Sequence, residues 1–241
     1  MRLAFLSTLL FLMATLSALR LNVLVHPMLS DSLVSAGDSL LALVADDSAP
    51  LLCAGRTLAR DVRADTTLTP AAADSLVLAA LRRAGCLWSA PSDYHWLVRS
   101  DVITACNIAT AWGTPAFIVL QGDSLRLGVA ALYSPDTAVR YPPGPQARYL
   151  FDIPTLLPDV VDSLRTRCDL VLLLTNLPRH VLRPLLATLI VDGIVSFDYM
   201  ASRSSDLDGV PYFSAAAPTM WTLWTENTDG RTVLRGERLE P

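Results

Sequence analysis

The 241-residue chain reads as an α/β protein in which two mixed sheets pack face to face with helices outside, four layers in all. Three observations predict this. Strand-length apolar runs alternate with helical-period segments in two βαβ stretches, one in each half of the chain. Antiparallel patterns marked by turn residues separate and follow those stretches. The composition, 52% hydrophobic against 17% charged, supports a large buried core and excludes a disordered chain.

The chain begins Met1-Arg2, and Leu3–Leu16 (LAFLSTLLFLMATL) is almost unbroken apolar sequence followed by the small Ser17 and Ala18. The run is short of the ~20 residues a membrane span needs. It reads as a secretory signal peptide, with an uncleaved N-terminal anchor as the alternative. Residues 1–18 are assigned to this segment and 19–241 to one domain. The expected location is secreted or periplasmic, with membrane contact only through residues 3–18.

Arg20–Val25 reads as a strand and Asp31–Val44 as a helix, with Leu33, Leu40, Leu41 and Val44 near helical spacing. Leu51–Ala54 is a short buried strand that Gly55 ends. Thr69-Pro70 opens a helix that Gly85 closes, with Leu76, Ala80 and Arg83 on one face. Cys86–Ala90 and Asp101–Cys106 are the next strands. Ala116–Leu120 and Leu125–Leu132 form a hairpin through Gln121-Gly122-Asp123-Ser124. A Pro-rich loop fills Tyr133–Ile153, and Pro154 opens a helix to Arg167. Cys168–Leu174 is a fully buried strand, Pro178–Leu189 a helix, and Ile190–Phe197 completes the second βαβ unit. The end reads as antiparallel: Tyr212–Ala216, Met220–Glu226, a Thr228-Asp229-Gly230 turn, then Arg231–Leu239. Trp221 and Trp224 fall on opposite faces of their strand, with core packing as the default role.

A net charge of −4 and a pI near 5.3 argue against a nucleic-acid partner. No lysine occurs, which removes Schiff-base and P-loop chemistry. Cys53, Cys86, Cys106 and Cys168 form no CxxC pair and read as small buried hydrophobes, with one disulfide open to an exported chain. His26, His95 and His180 are the only histidines, and a metal site built from them requires all three to converge. Ser92-Asp93-Tyr94-His95 carries triad atoms without the Gly-x-Ser-x-Gly elbow.

The order of segments resembles that of 5'-nucleotidase-type members of the calcineurin-like metallophosphoesterase superfamily. CNIATAWGTPAFIVLQGDSLRLGVAALYSPDT (106–137) resembles that family's Asn-bearing strand, Gly-x-Pro-x-Phe, hairpin and Pro-Asp-Thr turn. CDLVLLLTNL (168–177) resembles its hydrophobic strand ending in Thr-His-Leu. VDGIVSFDYM (191–200) resembles Val-Asp-x-Ile-Ile-Gly-Gly-His-x-His. LNVLVHPMLSD (21–31), APLLCAGRTL (49–58) and AALRRAGCLWSAPSDYHWL (79–97) stand where its upstream ligand motifs stand. The resemblance implies a four-layer metallophosphoesterase-like fold and, in active members, phosphate ester hydrolysis by two divalent metals that clamp the phosphate and generate hydroxide.

Carried over residue by residue, the metal-ligand positions of that family fall on Met28, Ser30, Arg56, Asp93, Asn176, Asp198 and Met200, and its catalytic His falls on Tyr94. Only Asp93, Asn176 and Asp198 retain a ligating side chain. Arg56 takes the bridging carboxylate's position, and a guanidinium is a fixed cation that cannot ligate. The resemblance therefore implies a degenerate, non-catalytic domain in which Arg56, Asp93 and Asp198 bind an anionic ligand, or a scaffold that binds a protein partner. No cofactor is expected on that reading. The alternative is an active phosphoesterase, 5'-nucleotidase-like, holding two divalent ions (Mn, Zn or Fe) in a non-standard site.

Overall fold

The computed structural model describes residues 19–27, 36–45, 47–55, 70–90, 108–110, 117–133, 147–149, 153–197 and 203–240. Its strands are β1 (Arg20–Val25), β2 (Leu51–Ala54), β3 (Trp88–Ser89), β4 (Ile108–Thr110), β5 (Phe117–Gln121), β6 (Arg126–Leu132), β7 (Ala147–Tyr149), β8 (Leu170–Thr175), β9 (Gly193–Ser196), β10 (Arg203–Leu207), β11 (Val210–Ser214), β12 (Thr219–Thr228) and β13 (Arg231–Leu239). The helices are α1 (Ala36–Ala42), α2 (Pro70–Arg83), α3 (Ile153–Arg165) and α4 (Arg179–Leu186).

One sheet has the order β13-β12-β1-β2-β3, the other β10-β11-β9-β8-β6-β5, and β4 and β7 pair on their own. Within the first sheet β1, β2 and β3 are parallel, and β12 and β13 extend it antiparallel. Within the second, β6, β8, β9 and β11 are parallel, flanked by antiparallel β5 and β10.

Side-chain alternation builds the four layers. Leu21, Val23 and Val25 of β1 share one buried cluster with Leu127, Val129 and Ala131 of β6 and Leu170, Leu172 and Leu174 of β8. This is the core between the sheets. The intervening residues point outward: Val171 and Leu173 pack with Leu157, Val160, Val161 and Leu164 of α3. Those four helix positions repeat at i, i+3, i+4, i+7, the stripe that a helix on a sheet requires. On the other side Leu24, Leu51 and Cys53 pack with Leu40 of α1 and Leu78, Ala80 and Leu81 of α2. Full burial on both faces explains why β8 reads as a continuous apolar run.

Several expectations shift. Leu78 and Leu81, not Leu76 and Arg83, lead the buried face of α2. The Pro-rich stretch 133–153 contains β7, paired with β4. The strand expected at 101–106 lies outside the described residues. β9 starts at Gly193 rather than Ile190 because Asp192 is held in a cap described below. β11 is parallel to β9, a correction to an all-antiparallel end: it leaves the β10–β11 hairpin and enters the sheet beside β9. At the β12–β13 turn Asp229 and Gly230 both take positive φ (52° and 75°), the two-residue geometry that matches strand twist.

Trp221 is buried between the sheets, its ring centroid 5.4 Å from that of Phe213, whereas Trp224 on the opposite face is half-buried. Cys53, Cys86 and Cys168 are buried free thiols, as expected of small apolar fillers; Cys106 lies outside the described residues. No helix among the described residues is long and apolar enough to cross a membrane.

Candidate functional site

Seven parallel strands run in the same sense within their sheets, so each sheet has a carboxyl edge where chain segments leave together. In α/β folds such an edge is where loops assemble a site on a rigid scaffold. In the sequence the matched ligand positions come after the strands that end at these edges: Met28 and Ser30 after β1, Arg56 after β2, Asp93 and Tyr94 after β3, Asn176 after β8, Asp198 and Met200 after β9. Asn176 is the one that falls among the described residues. Met28, Ser30, Arg56, Asp93, Tyr94, Asp198 and Met200 lie outside them, as does His95.

Asn176 is 4% exposed. It follows Thr175, whose Oγ1 accepts the Leu177 backbone N–H at 3.0 Å and turns the chain off β8. In the next strand Ser196 stands level with Thr175, and Ser214 of β11 stands level with Ser196. All three hydroxyl residues are fully buried. They sit on the helix-facing side of the sheet, because their neighbours Leu174, Val195, Phe197, Phe213 and Ala215 point into the core between the sheets. Phe197 occupies the second Gly position of the matched Gly-Gly-His motif and is 2% exposed.

At the end of β1, His26 donates its backbone N–H to Ala54 O at 2.7 Å and takes φ 49°. Its imidazole is 1% exposed and lies against Gly55. Gly55 has φ 82°, and a Cβ there would fall inside contact distance of His26 Nδ1 and 2.8 Å from Cε1. Here glycine answers both the backbone conformation and the closeness of the ring. His180 sits exposed in the first turn of α4, on the outer layer of the other sheet. The two described histidines therefore belong to different layers, and no group of three or more His, Cys, Asp or Glu side chains fit to hold a metal occurs among the described residues.

Two aspartates inside the matched motifs have a structural role at the opposite, amino edge. Asp169 Oδ2 accepts the Arg126 backbone N–H at 2.7 Å. Asp192 Oδ2 accepts the Val171 backbone N–H and Arg165 Nη2, both at 2.6 Å. Burial pushes the Asp192 carboxyl above its ordinary value, although both of these hydrogen bonds pull it down. Arg165 also donates Nε to Ile190 O at 2.9 Å, so one guanidinium ties the end of α3 to the approach to β9. Sequence reading gave these residues no role; the Asp immediately before each buried strand was the available signal.

A pair of divalent cations needs carboxylates and imidazoles converging at the strand ends. The matched positions supply a carboxamide at Asn176, carboxylates at Asp93 and Asp198, two thioethers, a hydroxyl and a guanidinium. This donor set does not fit a dinuclear hard-cation centre.

No protein-family model matches the chain, and no curated protein matches it. Solved structures do. The sulfate thiohydrolase SoxB of Thermus thermophilus superposes with a TM-score of 0.64 at 19% identity, over 83% of this chain and 42% of that one. A 5'-nucleotidase precursor, also of Thermus thermophilus, gives 0.64 at 14% identity, over 92% and 54%. The NAD nucleotidase of Haemophilus influenzae gives 0.63 at 13% identity, over 92% and 50%. This chain thus spans about half the length of these structures. At such identities the likeness concerns the fold: this chain has the calcineurin-like metallophosphoesterase fold, in the form found in 5'-nucleotidases.

Proposed function

We propose that this protein is an exported, degenerate metallophosphoesterase-like domain that performs no hydrolysis and uses the former catalytic edge to bind a small anion or to present a scaffold. The observation that carries the reading is the chemistry left at the strand ends. β8 ends in a buried carboxamide, Asn176, and β9 runs into a buried phenyl ring, Phe197. The position of the bridging carboxylate carries Arg56. An arginine there replaces the positive charge of the metals with a guanidinium, which binds oxyanions in a planar fork. In this reading Arg56, Asp93 and Asp198 form the anion-binding group, with Arg56 supplying attraction and the two carboxylates orienting it.

Two measurements on the same preparation test this. Hydrolysis of 5'-AMP and of p-nitrophenyl phosphate is assayed with manganese, zinc and iron, and inorganic phosphate binding is followed by calorimetry. The reading predicts no turnover above the metal-only blank and phosphate binding that Arg56→Ala abolishes. Metal-dependent turnover sinks it and makes the chain an active phosphoesterase with an unusual ligand set.

A further inference from the structure

We infer that this protein forms a symmetric dimer in which the free edge of β5 pairs antiparallel with β5 of a second copy, joining two six-stranded sheets into one. The inference is independent of the anion-binding reading, since no residue of β5 is a matched ligand position.

Of the four edge strands that end the two main sheets among the described residues, three are guarded. β3 is two residues long, β10 carries Arg203 and Asp206, and β13 carries Arg231, Arg235, Glu237 and Arg238. Short or charged edge strands resist pairing with another chain. β5 (Phe-Ile-Val-Leu-Gln) holds no charge and no proline, and its register with β6 is unbroken. Val119 at its middle is 41% exposed, and Phe117 and Ile118 are half-buried. An uncharged, largely apolar edge is a template for an added strand.

The backbone fixes which groups β5 offers. Arg126, opposite Gln121, turns both its main-chain groups toward Asp169 and away from β5. Its N–H donates to Asp169 Oδ2 at 2.7 Å, and its carbonyl accepts the Asp169 N–H at 2.9 Å. Gln121 and Arg126 are therefore a non-bonded pair, and in the next pair the Gly122 N–H donates to Leu125 O at 2.8 Å. Bonded and non-bonded pairs alternate along an antiparallel ladder. Ile118 and Leu120 thus bond to β6, whereas Phe117, Val119 and Gln121 aim N–H and C=O outward. Among the described residues no strand pairs with that side.

This set of outward groups is its own complement. A two-fold axis at Val119 sets Val119 against Val119 of the second copy and Phe117 against Gln121, so that three residue pairs each exchange two backbone hydrogen bonds. Charge fits the same register. The Arg167 guanidinium lies over the Phe117 ring, 5.8 Å from its centroid, and Asp123 is exposed on the β5–β6 turn two residues past Gln121. Antiparallel pairing carries that turn to the Phe117 end of the other strand, where Asp123 of each copy approaches Arg167 of the other. A foreign peptide would satisfy neither the two-fold nor this exchange of charges by design. An edge of five residues is small for a permanent interface, so the dimer is a reversible one.

Sedimentation equilibrium of the full chain across a concentration series tests this. The inference predicts a reversible rise from one chain mass to two. Val119→Lys sets two cations face to face at the axis and is expected to weaken association about tenfold or more. Asp123→Arg and Arg167→Asp should each weaken it about threefold, and the double variant should restore it. That rescue decides the matter if Val119→Lys loses the far-UV circular dichroism of the parent. A Val119→Cys chain treated with a short bis-maleimide should give a covalent dimer that the parent chain does not. A chain that stays monomeric overturns the inference. So does an oligomer that a folded Val119→Lys leaves intact, or one that the single charge reversals weaken and the double variant fails to restore.

Discussion

Replacing Gly55 with alanine is expected to destabilise the fold through two separable effects. The residue holds φ 82°, a region that costs an L-residue about 1–2 kcal/mol. The new Cβ would also overlap His26 Nδ1 and lie 2.8 Å from Cε1, and the ring, 1% exposed, has little room to retreat. Overpacking of this kind adds about 1–3 kcal/mol. The sum is about 2–5 kcal/mol, which lowers a urea midpoint by about 1 M or more at ordinary m-values. Equilibrium urea unfolding, followed by far-UV circular dichroism, measures it. A double-mutant cycle with His26→Ala separates the effects: removing the ring relieves the overlap but not the backbone strain, so the two substitutions couple by about 1 kcal/mol or more. A Gly55→Ala midpoint within about 0.3 M of the parent, or strict additivity with His26→Ala, refutes the packing described at this edge.

Three further outcomes follow. Asp192→Asn replaces an acceptor of two hydrogen bonds, one from a guanidinium, and is expected to lose about 1–3 kcal/mol in the same unfolding assay at neutral pH; an unchanged midpoint contradicts the clamp on β9. The Asp47 carboxyl is held below its ordinary value of 3.8 by the Ala49 N–H first, then by Asn22 and Arg20. Its contribution is therefore present above pH 3.8 and lost as pH falls through the lower folded value, so the stability gap between parent and Asp47→Asn should close in acid; a gap that is constant with pH sinks this. Burial raises the Cys53 thiol well above its ordinary value, helped by its hydrogen bond with Cys86. Alkylation with iodoacetamide, mapped by mass spectrometry, should leave Cys53 and Cys86 unmodified in the native protein and modify both in urea.

The layers were legible because burial dictates period. Strands buried on both faces, such as Leu170–Thr175, read as continuous apolar runs, and α3 shows its stripe at helical spacing. β10 escaped notice because Arg203-Ser204-Ser205-Asp206 is a largely exposed edge whose only apolar residue, Leu207, is its last. The parallel entry of β11 was equally hidden, since pairing with β9 is a property of the tertiary fold and leaves no mark on Val210–Ser214. β7 lay concealed in Pro-rich sequence for the same reason. At the site, Asn176 follows β8 directly and is buried, while the other matched positions lie outside the described residues. The motif aspartates were different: Asp169 and Asp192 bond the amino ends of β6 and β8, a role that depends on partners dozens of residues away. His26 against Gly55 also needed coordinates, because nothing in either residue type announces a left-handed histidine packed on a left-handed glycine.

Metal stoichiometry is the most direct test of the claim that the dinuclear centre has been lost. The chain is incubated with manganese, zinc and iron, desalted and analysed by plasma mass spectrometry. The account predicts less than about 0.2 equivalents of any metal per chain, whereas one to two tightly held equivalents, roughly the content of an intact two-metal hydrolase, would contradict it.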